Sequence, residues 1–408
     1  MMKKMLALLV LLMLAFPALA EEKDNRYDGL GLYGENGMMP VQRNGLWGIV
    51  DATGRQVVPC EWEDVGTPGE MRIPVERDGL WGCVDLTGCV VVEPVWDSLS
   101  VWSDGTLKVR RDGWAGLLSA DGEVIVPCGQ YTYVGWNIDG YILVQDARDR
   151  WGKLNPDGSV AIPLEWWEIG YFHDGLAYAK RMNDRWRYIN TAGETAFDGS
   201  FTQPGDFKDG LALVEVSSGG CRFIDTTGAP LTPDWDDAEE FSCGLALVKR
   251  DGLWGYIDRT GEVVIPLQFT SASSFVDGVA LVRRGDERIA ISTTGETLYG
   301  CPFEKAGGTF RFGFIWVMQG GQYGLMNTAG ELVVSCEWDE YVGMPFLFGD
   351  MTAMKKDGQL GFVNRQGELV TGQRWDEART GYAIDGEYLY LLADGVLTIW
   401  HADGTQVY

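Results

Sequence analysis

Histidine is almost absent from this chain: only His173 and His401 occur among 408 residues. That scarcity removes the commonest general base and metal ligand from most of the sequence. Both lie in or beside turns and read as solvated turn residues. No G-x-S-x-G, H-E-x-x-H or phosphate-loop pattern is present. No Cys-x-x-Cys occurs, which argues against zinc, and no D-x-[DN]-x-[DN]-G loop, which argues against a dedicated calcium site. The expectation is no catalytic residue, no cofactor and no metal.

Positive charge is also sparse. Lys and Arg total 33 against 59 Asp and Glu, for a net charge of −26. No Lys/Arg cluster stands out, so a nucleic-acid ligand is not expected. Only one long apolar run exists, Met5 to Phe16, after Lys3 and Lys4 and before Ala18-Leu19-Ala20. That is the layout of a secretory signal peptide, assigned to residues 1–20. No membrane span is expected after cleavage. The expected location is secreted and extracellular, with the periplasm as the alternative. No Ser/Pro-rich linker divides the chain, and no window has convincing helical periodicity.

The eight cysteines do not make a disulfide framework. Cys60, Cys128 and Cys336 share one repeat position, after Pro59, Pro127 and Ser335, and read as small buried hydrophobes. Cys83 and Cys89 flank one turn and are a candidate pair.

What is abundant is repetition. Asn44-Gly45-Leu46-Trp47-Gly48-Ile49-Val50-Asp51-Ala52-Thr53-Gly54 returns at Asp78–Gly88 and at Asp251–Gly261. Aligned on the turn glycine, copies fall at Gly54, Gly88, Gly122, Gly158, Gly193, Gly228, Gly261, Gly295, Gly330, Gly367 and Gly404. Ten steps span 350 residues, a mean period of 35 over eleven units.

The columns have physical meanings. Asp51, Asp85, Asn190, Asp258 and their equivalents begin an Asx-x-x-Gly turn, in which the side chain bonds the backbone two residues on. Trp47 and Gly48 lie on opposite strand faces, so the indole reads as core between units and the glycine as clearance for a neighbouring ring or backbone. Pro59, Pro94, Pro127 and Pro266 are expected to end the strand after that turn. A third strand precedes each hairpin, as in Gly244-Leu245-Ala246-Leu247-Val248. A short irregular segment then carries a second aromatic-acid column, Trp62-Glu63, Trp96-Asp97, Trp167-Glu168, Trp235-Asp236, Trp338-Asp339 and Trp375-Asp376. A unit this small cannot bury a core alone, so stacking must complete it.

These residues resemble the WG-repeat family of bacterial exported proteins, with its G-x-W-G-x-[IV]-[DN]-x-x-G-x-x-[VI]-[IV]-P pattern. The match is clearest around Trp47, Trp81, Trp151 and Trp254. The resemblance implies a β-rich repeat scaffold with general binding roles and no catalytic residues.

The expected fold is all-β: an open, curved, solenoid-like array of about eleven three-stranded meanders over residues 37–408, after a lead-in at 21–36. One or two propeller-like rings are the alternative. The first and last units each have three strands of their own, so nothing needs to be shared between the ends. The expected function is a secreted scaffold binding protein or cell-envelope polymer. The alternatives are a carbohydrate- or peptidoglycan-binding, lectin-like module and a glycan-active enzyme using unidentified carboxylates. Six tryptophans fall outside both columns and are the candidate binding surface: Trp102, Trp114, Trp136, Trp166, Trp316 and Trp400. Function is expected where the repeat decays, around Trp114, Cys221-Arg222 and Arg288-Ile289.

Overall fold

The tightest constraint on most units is a pair of turns that few residues can make. The first joins the opening strand to the Trp strand. Asn44 and Gly45 take φ of 52° and 82°, and Asp251 and Gly252 take 51° and 81°. Two successive positive φ values define a type I′ hairpin, whose twist matches that of the flanking strands. The second is the Asx turn. Asp258 Oδ1 accepts hydrogen bonds from Thr260 N (2.9 Å), Thr260 Oγ1 (2.6 Å) and Glu262 N (3.1 Å). Asn327 does the same for Ala329 N and Glu331 N without the charge.

The computed structural model describes residues 25–31, 37–217, 219–343, 346, 349–376 and 380–408. The expected signal peptide lies outside these residues. Among them there is no helix, and the strands form eleven antiparallel sheets. The unit carrying Trp81 is typical. Arg72–Arg77, Leu80–Asp85 and Val90–Trp96 form the meander. Asp64–Val65 adds a fourth strand at the edge. That edge strand follows Trp62 after one residue, so the segment expected to be irregular is paired.

Proline does not end the third strand, as expected from sequence, but sits inside it. The strand Gln56–Trp62 runs through Pro59. Its register against the Trp strand slips between Ile49↔Val58 and Trp47↔Trp62. A bulge frees backbone groups from the ladder, which is where proline is tolerated. Gly48 faces that bulge: a Cβ on it would lie 2.5 Å from Val58 O and 2.7 Å from Cys60 N. The same contacts recur at Gly82, Gly152 and Gly255. Trp-Gly and the distant proline are therefore one device.

The acid after the second aromatic also has a structural task. Gly79 N donates to Glu63 (3.1 Å), Asp112 N to Asp97 (2.6 Å), Asp251 N to Asp236 (2.7 Å) and Asp357 N to Asp339 (2.7 Å). Each carboxylate caps the next unit's type I′ turn.

Cores lie between units. Ile49, Val58 and Trp62 of the first unit pack with Ile73, Val75 and Val84 of the second. Leu247, Tyr256, Ile265 and Phe269 pack with Ala280, Val282, Ile289 and Ile291 of the next unit. Trp62 and Trp235 are buried, whereas Trp47, Trp81 and Trp254 are half-buried. The second aromatic column, at the crossing into the next unit, is thus the deeper core; the Trp-Gly column covers it from the hairpin side.

No sheet closes into a barrel, and along the chain each unit packs on its sequence neighbours, as a solenoid-like array requires. Contrary to the expectation of ends that share nothing, the two ends also meet. Arg26 pairs with Val396, Tyr27 N donates to Gly395 O (3.0 Å) and Leu397 N to Asn25 O (3.0 Å). Tyr27, Met39, Val41 and Val50 form one core with Ala383, Tyr390, Leu397 and Ile399. Residues 25–30, expected to lead into the array, thus belong to it; Gly29–Leu30 is the edge strand of the first sheet. Tyr27 occupies the second aromatic position and Asp28 the capping position, its carboxylate accepting from Asn44 N.

Trp62→Ala is expected to cost about 3–5 kcal/mol, the range for deleting a buried tryptophan. Trp102→Ala, at an exposed ring, should cost under about 1 kcal/mol. Urea unfolding of the two variants checks the difference.

A pH dependence also follows. Hydrogen bonds from the hydroxyls of Thr87, Thr227 and Thr260 hold the carboxyls of Asp85, Asp225 and Asp258 below the usual range. A lowered folded-state pKa stabilises fully above the unfolded value of about 3.9 and is lost as pH falls through the folded value. The urea midpoint should therefore drop as the pH falls below about 4. Replacing the three aspartates with asparagine, as at Asn190, Asn327 and Asn364, should flatten that acid limb.

Candidate functional site

The strand ladder decides which aromatic side chains are core. Register pairs Trp151 with Trp166, as it pairs Trp47 with Trp62 and Trp81 with Trp96. Trp166, expected on the binding surface, is therefore a member of the second aromatic column and is buried. Its neighbour Trp167 takes the capping position instead and is 41% exposed. The adjacent pair Trp166-Trp167 admits either alignment in sequence, and only the bulge register separates them.

Of the other five, Trp114 is half-buried beside a type I′ turn. Trp400 is half-buried against the core of the last two units, its Nε1 donating to Thr398 Oγ1 at 3.2 Å. Trp102 and Trp136 come together from adjacent units. Their rings stack at 5.1 Å between centroids with planes 21° apart. Trp102 is 37% exposed. Lys108 Nζ lies 4.9 Å from the Trp136 centroid and 5.6 Å from that of Tyr133. Tyr133 in turn packs on Trp151 at 5.3 Å. Burial, with Arg110 nearby, pushes the Lys108 ammonium below its ordinary pKa. The result is a ledge of two stacked indoles with a cation along its inner side. Such a ledge can take a flat, partly apolar ligand face and hydrogen-bond its edge. Trp316 stands apart from this ledge, in the wall of a cleft of about 510 Å³.

Two decayed repeats also border clefts. Gly220 and Cys221 line one of about 560 Å³, and Arg288 and Ile289 one of about 600 Å³. The sheet of the sixth unit is reduced to two strands, Leu211–Glu215 and Cys221–Asp225, whose edges are paired only by isolated bridges, among them those to Gln203 and Trp235. Arg222 is held by Asp234 at 2.7 Å.

The histidines lie in turns. His401 Nδ1 accepts from Asp403 N at 3.3 Å, and the Glu387 carboxylate beside its Nε2 raises the imidazole above its ordinary pKa. His173 is exposed, 3.8 Å from Asp206. All eight cysteines are free thiols. Cys83 faces the core, where burial pushes its thiol up to about 11, while Cys89 is exposed, so the candidate pair does not form.

One polar feature gave no signal in the sequence. Lys153 stands in a core column and is fully buried. Its ammonium pairs with Asp139, which is itself buried and also accepts from Phe172 N (2.5 Å). The rings of Phe172, Tyr171 and Tyr141 surround Nζ at 4.5, 5.3 and 5.8 Å. At the same position in other units, Tyr188 donates to Gly205 O (2.6 Å) and Tyr256 to Ser273 O (2.7 Å). Lys153 thus replaces a tyrosine hydroxyl that ties one unit to the next. Removing only one partner of a buried pair strands the other. Asp139→Ala is therefore expected to cost about 3–5 kcal/mol, while Lys153→Met with Asp139→Asn should cost clearly less; urea unfolding distinguishes them.

The fold and its surfaces define a β-repeat scaffold with clefts at several units. The WG-containing repeat pattern matches residues 47–81, 81–113, 151–186, 186–218, 222–254, 254–287 and 323–359, more than half of the chain. The chain belongs to the WG-containing repeat family. No curated protein matches it in sequence. Among solved structures, BamB from Moraxella catarrhalis is similar over 74% of this chain and 98% of its own, at 17% identity and a TM-score of 0.32. A eukaryotic initiation factor is similar over 75% and 96%, at 10% identity and a TM-score of 0.40. The computationally designed Ika8 protein is similar over 67% and 96%, at 13% identity and a TM-score of 0.33. At these scores none carries an argument about this chain.

Proposed function

We propose that this chain is an exported, non-catalytic scaffold that binds a cell-envelope polymer, and that the polymer is a glycan. The Trp102–Trp136 ledge is the observation that supports this reading. Packing accounts for the periodic aromatics, but not for two stacked indoles of which one is exposed. Aromatic side chains clustered on a surface mark contact sites, because they bring large apolar area at little entropic cost. A pyranose ring offers a matching apolar face with hydroxyls at its rim, within reach of Lys108. The net charge of −26 keeps such a scaffold soluble. Secretion, or export to the periplasm, places it where envelope glycans are.

The test is co-sedimentation of the mature chain with purified peptidoglycan and envelope polysaccharide. Saturable binding is expected, weakened at least about tenfold by Trp102→Ala with Trp136→Ala. Trp114→Ala should leave it unchanged. Retention of protein partners only, with no glycan bound, would favour the protein-binding form of the scaffold.

A further inference from the structure

We infer that the cleft around Trp316 is a separate binding site for an acidic sugar, a pyranose bearing a carboxylate. This inference stands independently of the Trp102–Trp136 ledge. Its volume of about 510 Å³ suits one or two sugar rings.

The wall is a rigid aromatic platform. Trp316 lies 6.0 Å from Tyr341 with planes 17° apart. Tyr323 braces both rings edge-on, at 5.7 and 5.5 Å. Equivalent strand positions in other units hold proline, leucine, alanine, lysine or tyrosine, with Leu281 and Ala353 in the adjacent units, so the indole itself is peculiar to this unit. It fits only because residue 307 is glycine. A Cβ there would lie 2.9 Å from Ile315 Cγ1 and 3.0 Å from Trp316 Nε1.

The polar groups are of two kinds. Arg311 lines the cleft, is exposed, and forms no side-chain hydrogen bond or ion pair among the described residues. Its guanidinium is therefore available to a ligand. Its planar fork matches a carboxylate in a bidentate pair. Across the cleft, Glu239 accepts from Ser274 Oγ at 2.5 Å and offers its remaining lone pairs to ligand hydroxyls. Indole face, cation and hydroxyl acceptor correspond to the apolar face, carboxylate and hydroxyls of a uronic-acid-type sugar.

The backbone beside Arg311 is strained. Phe312 has φ of 52° and is 47% exposed. The same turn position elsewhere holds Asp174, Asp209, Cys243 and Asp277, all smaller than phenylalanine and mostly aspartate, which tolerates positive φ. Arg365 holds the turn by donating to Phe312 O at 3.0 Å, while pairing with Asp350 at 2.5 Å. A bulky residue kept in that conformation by its surroundings is a common mark of a functional site.

The experiment is titration of the mature chain with sodium glucuronate, followed by tryptophan fluorescence and by NMR, with methyl glucoside as the neutral comparison. Saturable binding of glucuronate, at least about tenfold stronger than of the glucoside, is expected. Arg311→Gln should remove that preference. Trp316→Leu, which places there the residue the preceding unit carries at Leu281, should abolish binding while the unfolding midpoint stays close to that of the parent. Trp102→Ala with Trp136→Ala should change nothing, which separates this site from the ledge. No saturable glucuronate binding, equal binding of the two sugars, or binding indifferent to Arg311→Gln and Trp316→Leu would overturn the inference.

Discussion

A unit of about 35 residues cannot enclose a core, and everything else in this structure follows from that limit. Each hydrophobic cluster is shared by two consecutive units, from Ile49–Ile73 to Leu360–Leu389. The shared cores dictate which residues recur. The second aromatic sits at the crossing and fills the space between sheets. The acid after it caps the next unit's hairpin. Glycine after the first tryptophan clears the bulge that the proline occupies. The terminal units obey the same rule by packing on each other, with Tyr27 in the aromatic position and Asp28 in the capping one.

Surfaces free to evolve a ligand are what this scheme leaves over. The recurring side chains are committed: tryptophans to cores, aspartates to turns, glycines to close approach. Only positions whose neighbours hold something bland can acquire a special residue without breaking the stack. Trp316 stands where the preceding unit has Leu281 and the following one Ala353, Trp102 follows the edge strand Ser98–Val101, and Trp136 lies at the register shift of the edge strand Tyr133–Asn137. Lys153 shows the opposite case. It is a chemically striking residue, yet its place in a core column commits it to joining two units.

Much of the architecture was legible in the sequence because turns are local. Asx-x-x-Gly and Asp-Gly carry their conformations in the residues themselves, so period, strand order and the all-β class could be read directly. What failed to be legible depends on register or on contacts far apart in the chain. The proline bulge shifts pairing by two residues, and that shift alone makes Trp166 core and Trp167 exposed. The joining of the ends rests on Asn25 to Tyr27 meeting Gly395 to Leu397, and a lone Tyr27-Asp28, without the rest of a unit before it, does not declare its column in the sequence. Of the candidate surface, Trp102 and Trp136 could be named singly but not as a pair, since nothing local says that adjacent units bring them into stacking.

Because every core is shared, disturbing one end of the chain must be felt at the other. Hydrogen exchange on the mature chain carrying Tyr27→Asp measures this directly. The account predicts faster exchange together in Met38–Arg43 and Val396–His401, more than 340 residues apart in sequence, with Leu245–Asp258 keeping its protection. Faster exchange confined to the first unit, with Val396–His401 as protected as in the parent, would contradict it.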